Sequence, residues 1–166
     1  MKTLNQNFTL YKDKKSSAPA VLAVFHFAGG DVFVSDRTIA PGAGAPEFRG
    51  LVTSWGEVSA PSSGLFTVKL PEVALELANS GEPPFSSYLD DGGAEGAEAE
   101  LFLWFEGLGY AEKEPVGRFI ISSPIEYADE RVRLTLVSAF IKRNRLIGRT
   151  IARDDYPGAD PDAVGG

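Results

Sequence analysis

The clearest alternation of hydrophobic and polar residues lies between residues 98 and 140 and predicts β-strands. At residues 131–137 the apolar side chains of Val132, Leu134 and Leu136 alternate with polar ones. A period of two is typical of a strand with one buried and one solvated face. We therefore expect a sheet here, with the rest of the chain packed against it.

The same region contains the neighbours of that strand. Residues 118–122 are rich in β-branched and aromatic side chains, and the Ser-Pro pair at 123–124 and residues 128–130 predict turns. Upstream, residues 97–100 alternate and lead into the apolar run 101–105. These segments predict an antiparallel meander that supplies the core. The residues expected to be mostly buried are Leu101, Leu103, Phe119, Ile121, Val132, Leu134 and Leu136.

Further strand pairs are predicted in the first half of the chain. Residues 20–27 and 31–35 are apolar and are joined by Ala-Gly-Gly at 28–30, which is typical of a β-hairpin. Residues 48–58, with Gly50 and Gly56 as bends, and residues 65–70 predict a second antiparallel pair.

Shorter segments complete the assignment. Residues 8–11 predict a short first strand, and residues 39–47 predict a loop because they contain two Pro and two Gly. Residues 72–79 suit either a strand or a helix, and we favour a strand. Residues 85–89 suit one helical turn. Residues 90–96, with three Gly and three acids, predict a flexible surface loop, called the acidic loop below.

The predicted fold class is mainly β, an antiparallel barrel or sandwich with a short helix and an irregular C-terminal arm. A chain of 166 residues suits one domain, and a domain of this size buries about 70% of its unfolded surface without needing disulfides or a metal ion. We assign residues 1–150 to a β-rich domain and residues 151–166 to a C-terminal tail or linker. Within the first of these, residues 138–148 predict a short helix or an extended arm ending at Gly148.

Composition excludes several classes of function. The chain has no Cys, which removes disulfide scaffolds, thiolate nucleophiles and Cys-ligated zinc. No segment approaches the roughly 18 consecutive apolar residues of a membrane helix, and the N-terminus lacks the apolar stretch of a signal peptide. With 23 acidic and 16 basic residues the net charge is −7. We expect a soluble protein made in a cytoplasm, with no membrane partner and no direct nucleic-acid recognition.

No catalytic constellation is evident in the sequence. His26 is the only His; it lies between Phe25 and Phe27 and has no nearby Ser, Cys or carboxylate at catalytic spacing, so we expect a structural role. The acids of residues 90–100 lack the alternating pattern of a calcium loop. We expect no enzyme, no metal and no cofactor. Trp104 is expected in the core. For Trp55 two roles stay open, a core residue or an aromatic platform on which a sugar stacks.

Charge suggests one candidate interaction. A basic segment, residues 142–153, carries five positive charges in 12 positions, and the acidic loop carries several negative ones. The two readings are a solvated surface and an electrostatic contact with an acidic surface of another subunit. The candidate interaction residues are Lys142, Arg143, Arg145, Arg149 and Arg153 of the basic segment with Asp90, Asp91 and Glu95 of the acidic loop.

The C-terminal sequence resembles a known family. Ile-Gly-Arg-Thr-Ile at 147–151, followed by Asp-Asp-Tyr-Pro-Gly-Ala-Asp-Pro at 154–161, is similar to a segment of tail-tip or baseplate-hub proteins of tailed phages and prophages. In that family the Tyr-Pro segment leads on into further sequence, so we expect this chain to be an N-terminal piece of a longer protein. The resemblance departs at Phe119, where Ile120 replaces the Gly that usually follows.

The resemblance implies a β-barrel-like fold related to tail-tube proteins and a structural role in a virion tail. Its expected partners are other tail or baseplate proteins and further copies of the chain in a ring. It carries over no catalytic residues. The alternative is a carbohydrate- or receptor-binding β-sandwich of a tail fibre, which an exposed pair of aromatic rings on one sheet face would favour. A cell-wall hydrolase is the third and weakest reading.

Overall fold

A computed structural model describes residues 6–14, 18–56, 72–90 and 94–139, and their structure is mainly β. The strands are β1 Pro19–Phe27, β2 Gly30–Ser35, β3 Arg49–Gly50, β4 Val52–Trp55, β5 Glu72–Ala78, β6 Glu98–Phe105, β7 Glu114–Ala128 and β8 Arg131–Ser138. The helices are α1 Gln6–Lys12 and α2 Ser87–Asp90, with a 3₁₀ turn at Tyr110–Glu112. The predicted basic segment, the predicted strand at residues 65–70 and the predicted domain boundary lie outside the described residues.

The strands form one eight-stranded sheet in the order β3-β2-β1-β6-β7-β8-β5-β4. Among the described strands, β2 and β3 pair in parallel and the other pairings are antiparallel, so the sheet is mixed rather than purely antiparallel. It curls into a half-barrel. Strands β3 and β4 lie at opposite ends of this order, although Leu51 alone separates them in sequence. The segment 49–55 therefore joins the two margins of the sheet.

Two hydrophobic cores lie on opposite faces of the sheet. The inner core collects residues from around the half-barrel, including Phe25, Leu75 and Leu134, and Phe85 and Leu89 pack into it. The outer core lies on the other face of β1 and β6, where helix α1 and the chain around residues 39–48 and 105–108 cover the sheet. Strand β1 is consequently buried on both sides, which explains its nearly continuous apolar sequence.

The predicted meander is confirmed in strands β6, β7 and β8. Ile121 lies opposite Leu136 in the β7–β8 pair. Of the residues expected in the core, Leu103 is only partly buried, because the β6–β7 register shifts between Leu101 and Phe102 and breaks the alternation. The others, Leu101, Phe119, Ile121, Val132, Leu134 and Leu136, are buried.

The prediction of a strand at residues 8–11 is wrong, because these residues belong to helix α1. Phe8 and Tyr11 pack against the outer core, and Leu10 is 60% exposed. A strand would have placed Phe8 and Leu10 on one face, whereas residues three apart share a face of a helix. Edge-to-face packing of Phe8 on Phe105, with ring centroids 4.9 Å apart, anchors the helix.

The predicted turn at residues 123–124 is also wrong, because β7 continues through it to Ala128. The β7–β8 register shifts between Ser122 and Glu126. A bulge of this kind accommodates Pro124, which has no N–H to donate to the ladder. The hairpin of β1 and β2 and the strand β5 are confirmed, and the helical turn expected at residues 85–89 is displaced to α2.

The segment 48–58 differs from its predicted form. It contains two short strands, β3 and β4, separated at Leu51, and among the described residues β4 pairs with β5. Gly50 is needed there because an added Cβ would lie 2.6 Å from the backbone nitrogen of Thr38. Among the helices that the structure describes, none has the length and apolar character needed to cross a membrane.

Candidate interaction surfaces

The structure describes only part of the charged surface that the sequence singles out. Asp90 is the last residue of α2 and is exposed, and Glu95 is exposed in the turn that leads into β6. Both therefore lie on the surface. The contact between the basic segment and the acidic loop stays a prediction, because the other candidates lie outside the described residues. These are Asp91 of the acidic loop and Lys142, Arg143, Arg145, Arg149 and Arg153 of the basic segment.

A groove of about 680 Å³ opens on the outer face of the sheet, and we call it the outer groove. Strands β2, β1 and β6 form its base, the loop 44–46 forms one rim, and the chain around residues 110–113 forms another. Its position follows from strand register, since Val24 of β1 lies opposite Phe33 of β2 and Glu100 of β6. The lining residues are Val24, His26, Asp31, Phe33, Gly44, Ala45, Pro46, Glu100, Phe102, Tyr110 and Lys113.

A row of ionisable side chains from four strands lies at this groove. His26 Nδ1 lies 2.8 Å from Asp31 Oδ1, and His26 Nε2 lies 3.9 Å from Glu100 Oε2. The other oxygen of Glu100 accepts from Arg118 Nε at 2.8 Å. The expectation that His26 lacks a carboxylate partner nearby is therefore wrong. We call this arrangement the polar row; because Arg118 is 76% exposed, its ion pair with Glu100 contributes only about 0–1 kcal/mol to stability.

Aromatic rings hold a cation in the same groove. The ammonium of Lys113 lies 3.6 Å from the ring centroid of Tyr110 and 4.9 Å from that of Phe102. Burial lowers the pKa of Lys113, and the negative charge of Glu100 partly opposes that change. The pKa of the Tyr110 phenol is raised, first by burial and then by the charges of Glu100 and Asp31. The charges of both carboxylates therefore act at Tyr110.

Hydrogen bonds fix the chain that carries Tyr110 and Lys113. The carboxylate of Glu112 accepts a hydrogen bond from the backbone N–H of Gly109 at 2.8 Å and another from the side-chain amide of Asn7 in α1. These bonds lower the pKa of Glu112, the Asn7 bond having the larger effect. The Trp104 indole, buried as predicted, donates to the carbonyl of Leu108 at 3.2 Å. The turn is thus tied to both α1 and the outer core.

A second charged cluster lies on the solvated face of β5, β7 and β8. The Glu76 carboxylate lies 3.4 Å from Arg131 Nη1 and 3.2 Å from Arg133 Nη2. Arg133 Nη1 also lies 3.4 Å from the Glu126 carboxylate. Because these arginines are more than half exposed, the cluster is a surface network of small energetic weight. Trp55 is partly buried against the inner core. In the described part of the chain, no group of three or more His, Asp or Glu side chains is placed to hold a metal ion.

The sequence pattern does not predict the outer groove. The predicted three-residue connection at 28–30 pairs Phe27 with Asp31, whereas the observed hairpin pairs Phe27 with Gly30 and His26 with Asp31. The missing information was the approach of Tyr110 and Lys113, which belong to a turn without periodicity. No local signal in the sequence indicates that this turn folds over β6.

The architecture defines the class of protein: a mainly β domain whose eight-stranded mixed sheet curls into a half-barrel with a core on each face. The same fold occurs in a chain of the solved structure "Virion of native gene transfer agent (GTA) particle", with a TM-score of 0.62 and 14% identity. The alignment covers 87% of this chain and 48% of that one, so this chain spans about half its length. At this identity the likeness establishes a shared fold. No protein-family model and no curated protein matches the chain.

Proposed function

We propose that this protein is a structural component of a phage or phage-like virion and that it acts by assembly. The observation that carries the proposal is the likeness in fold to a chain of a gene transfer agent virion over 87% of this chain. The C-terminal resemblance to tail-tip and baseplate-hub proteins supports the finer assignment to the tail, with other tail proteins and further copies in a ring as partners. Detection of the protein in purified particles, and loss of particle assembly when its gene is deleted, test the proposal.

The contact proposed for assembly joins the basic segment of one copy to the acidic loop of a neighbour or to an acidic tail partner. Asp90 and Glu95 are exposed and accessible for such a contact. Opposite charges on different patches of one chain suit the heterologous interface that a closed ring requires. Such charges steer association and lose their effect as salt approaches about 1 M, where screening acts over ~3 Å.

Sedimentation velocity at high protein concentration tests this contact. We expect the wild type to assemble at low salt and to dissociate at high salt, and the double variant Arg143→Glu, Arg145→Glu to stay monomeric in both. The control is Lys12→Glu, Lys14→Glu, which makes the same change in net charge at the other end of the chain. Sedimentation that neither salt nor the arginine reversals alter would mean that the basic segment is a solvated surface.

We also propose that the protein acts without catalysis. His26 Nδ1 lies 2.8 Å from Asp31 Oδ1 in the polar row, and we assign His26 a structural role. The purified protein is expected to leave peptidoglycan and peptide substrates intact, and His26→Gln is expected to preserve assembly. Cleavage that the His26 substitution abolishes would refute this assignment.

One observation favours the alternative of a carbohydrate-binding module. The half-buried rings of Phe33 and Phe102 lie on one sheet face and line the outer groove. Sugars stack on such rings, although here the Lys113 ammonium lies 4.9 Å from the Phe102 centroid. A glycan-array screen separates the two functions, because a virion component that acts only by assembly is expected to retain no glycan.

A further inference from the structure

We propose that the outer groove is a docking site for an arginine or lysine side chain presented by a neighbouring protein of the particle. This inference rests on the proposed structural function, because it names a surface through which assembly contacts are made. It concerns a site different from the acidic loop, and it predicts binding that is measurable on isolated chains.

The groove already holds a cation. Lys113 places its ammonium 3.6 Å from the Tyr110 centroid, in a half-buried position. Ring faces attract cations through their quadrupole, and more strongly when water is excluded. The same rings can receive a cation from another protein once Lys113, on its flexible four-carbon stem, moves aside.

Two carboxylates line the groove. They belong to Asp31 and Glu100, and their charges both act on Tyr110. Arg118 and His26 hold these carboxylates in position at 2.8 Å. A guanidinium that stacks on a ring while donating to a carboxylate uses both kinds of contact at once.

The groove is open and large enough for a further side chain. A volume of about 680 Å³ lies open with Lys113 in place, and the small residues Gly44, Ala45 and Pro46 are part of the lining. An incoming side chain therefore meets little steric hindrance on that side. Asp31 and Glu100 both line the groove and offer carboxylate acceptors to a cationic side chain beside the rings.

An NMR titration of the full chain tests the proposal. His26 is the only His, so its ring signals need no further assignment. The probe is the peptide N-acetyl-Gly-Arg-Gly-amide, and its control is the uncharged peptide with citrulline in place of arginine. We expect the arginine peptide to shift the ring signals of His26 and Tyr110 in a saturable way and the citrulline peptide to leave them unchanged. A flat arginine titration would refute the proposal.

Three variants identify the groove as the site. Glu100→Gln is expected to weaken binding of the arginine peptide by about fivefold, and Lys113→Gln to strengthen it several-fold by freeing the rings. The matched control, Glu126→Gln, removes an exposed carboxylate from a strand margin outside the groove and is expected to change nothing. Weaker binding of the arginine peptide to Lys113→Gln would contradict the assigned role of Lys113.

The same measurements distinguish arginine binding from binding of an anion or a sugar. Together with an assembly assay they also distinguish failure of the groove proposal from failure of the proposed function. An N-acetyl-Gly-Asp-Gly-amide peptide that binds the wild type but not Lys113→Gln would make the groove an anion site, and shifts induced by chitooligosaccharide would make it a sugar site; either result overturns the proposal. Because the peptide is measured on single chains, arginine binding without particle assembly would refute the proposed function alone. Normal assembly without arginine binding would refute the groove alone.

Discussion

At the scale of single residues, burial follows strand alternation wherever the register is regular. Leu134 and Leu136 are buried as the pattern predicts, because β8 pairs without interruption with β5. Leu103 is less buried than the pattern predicts, because the register of the β6–β7 pair shifts just before it. Such a shift cannot be recognised in the hydrophobic pattern of the sequence. The sequence therefore predicts the core of β8 and the burial of Trp104, but not the partial exposure of Leu103.

Leu134→Ala tests the assignment of the inner core. Leu134 is fully buried, and we expect the substitution to lower the free energy of unfolding by about 2–5 kcal/mol through lost burial and a residual cavity. Urea denaturation measures the change. The control is Leu10→Ala in α1, whose side chain is 60% exposed and whose loss is expected to have little effect. Equal stability of Leu134→Ala and the wild type would place Leu134 outside the core.

At the scale of elements, helix α1 shows the limit of a short apolar pattern. Residues 8–11 are too few to distinguish a period of two from one of 3.6, and the packing of Phe8 on Phe105 decides in favour of the helix. The outer groove has the same origin, since Tyr110 and Lys113 reach β6 through a turn held by distant contacts. Sequence periodicity describes strands and helices but does not describe how turns pack on them.

The hydrogen bonds to Glu112 make the attachment of α1 dependent on pH. Because the folded-state pKa of Glu112 is lowered, its contribution to stability is present above the unfolded carboxyl pKa and is lost as pH falls through the folded pKa. Glu112→Gln is thus expected to lower the melting temperature at neutral pH and to match the wild type in acid. Melting curves across this range, with the exposed Glu106→Gln as control, measure it. A difference that persists unchanged in acid would contradict the role of the charge.

Gly50 tests the close contact between β3 and the turn after β2. An added Cβ would lie 2.6 Å from the Thr38 nitrogen and 2.8 Å from the Arg37 carbonyl carbon, and backbone atoms have little freedom to retreat. We expect Gly50→Ala to destabilise the protein by about 1–3 kcal/mol, as overpacking does. Gly29→Ala is the control, because a Cβ there meets nothing within 4 Å. Chemical denaturation that ranks the two variants equally would refute the contact.

At the scale of the whole molecule, the mainly β class is predictable from the sequence and the curvature of the sheet is not. Alternating segments and glycine-rich turns indicate the strands. The joining of the two margins depends on β3 pairing with β2 in parallel and on β4 pairing with β5. These pairings connect distant parts of the chain through strands of two and four residues, which are too short to carry a recognisable pattern.

The segment 49–55 has a consequence for how the molecule opens. The Ala78 N–H donates to the carbonyl of Leu51 at 2.7 Å, and the Phe48 N–H donates to that of Ile39 at 2.8 Å. Since one covalent segment supports both margins, its release exposes both amides in a single cooperative event. In Gly50→Ala, amide hydrogen exchange should therefore accelerate to the same extent at Ala78 and Phe48. The Ile121 amide, which donates a hydrogen bond to the Ala97 carbonyl at 2.9 Å, should exchange more slowly than either of them. Unequal acceleration at Ala78 and Phe48 would show that the two margins open independently. The half-barrel would then contain two separate units of local unfolding instead of one.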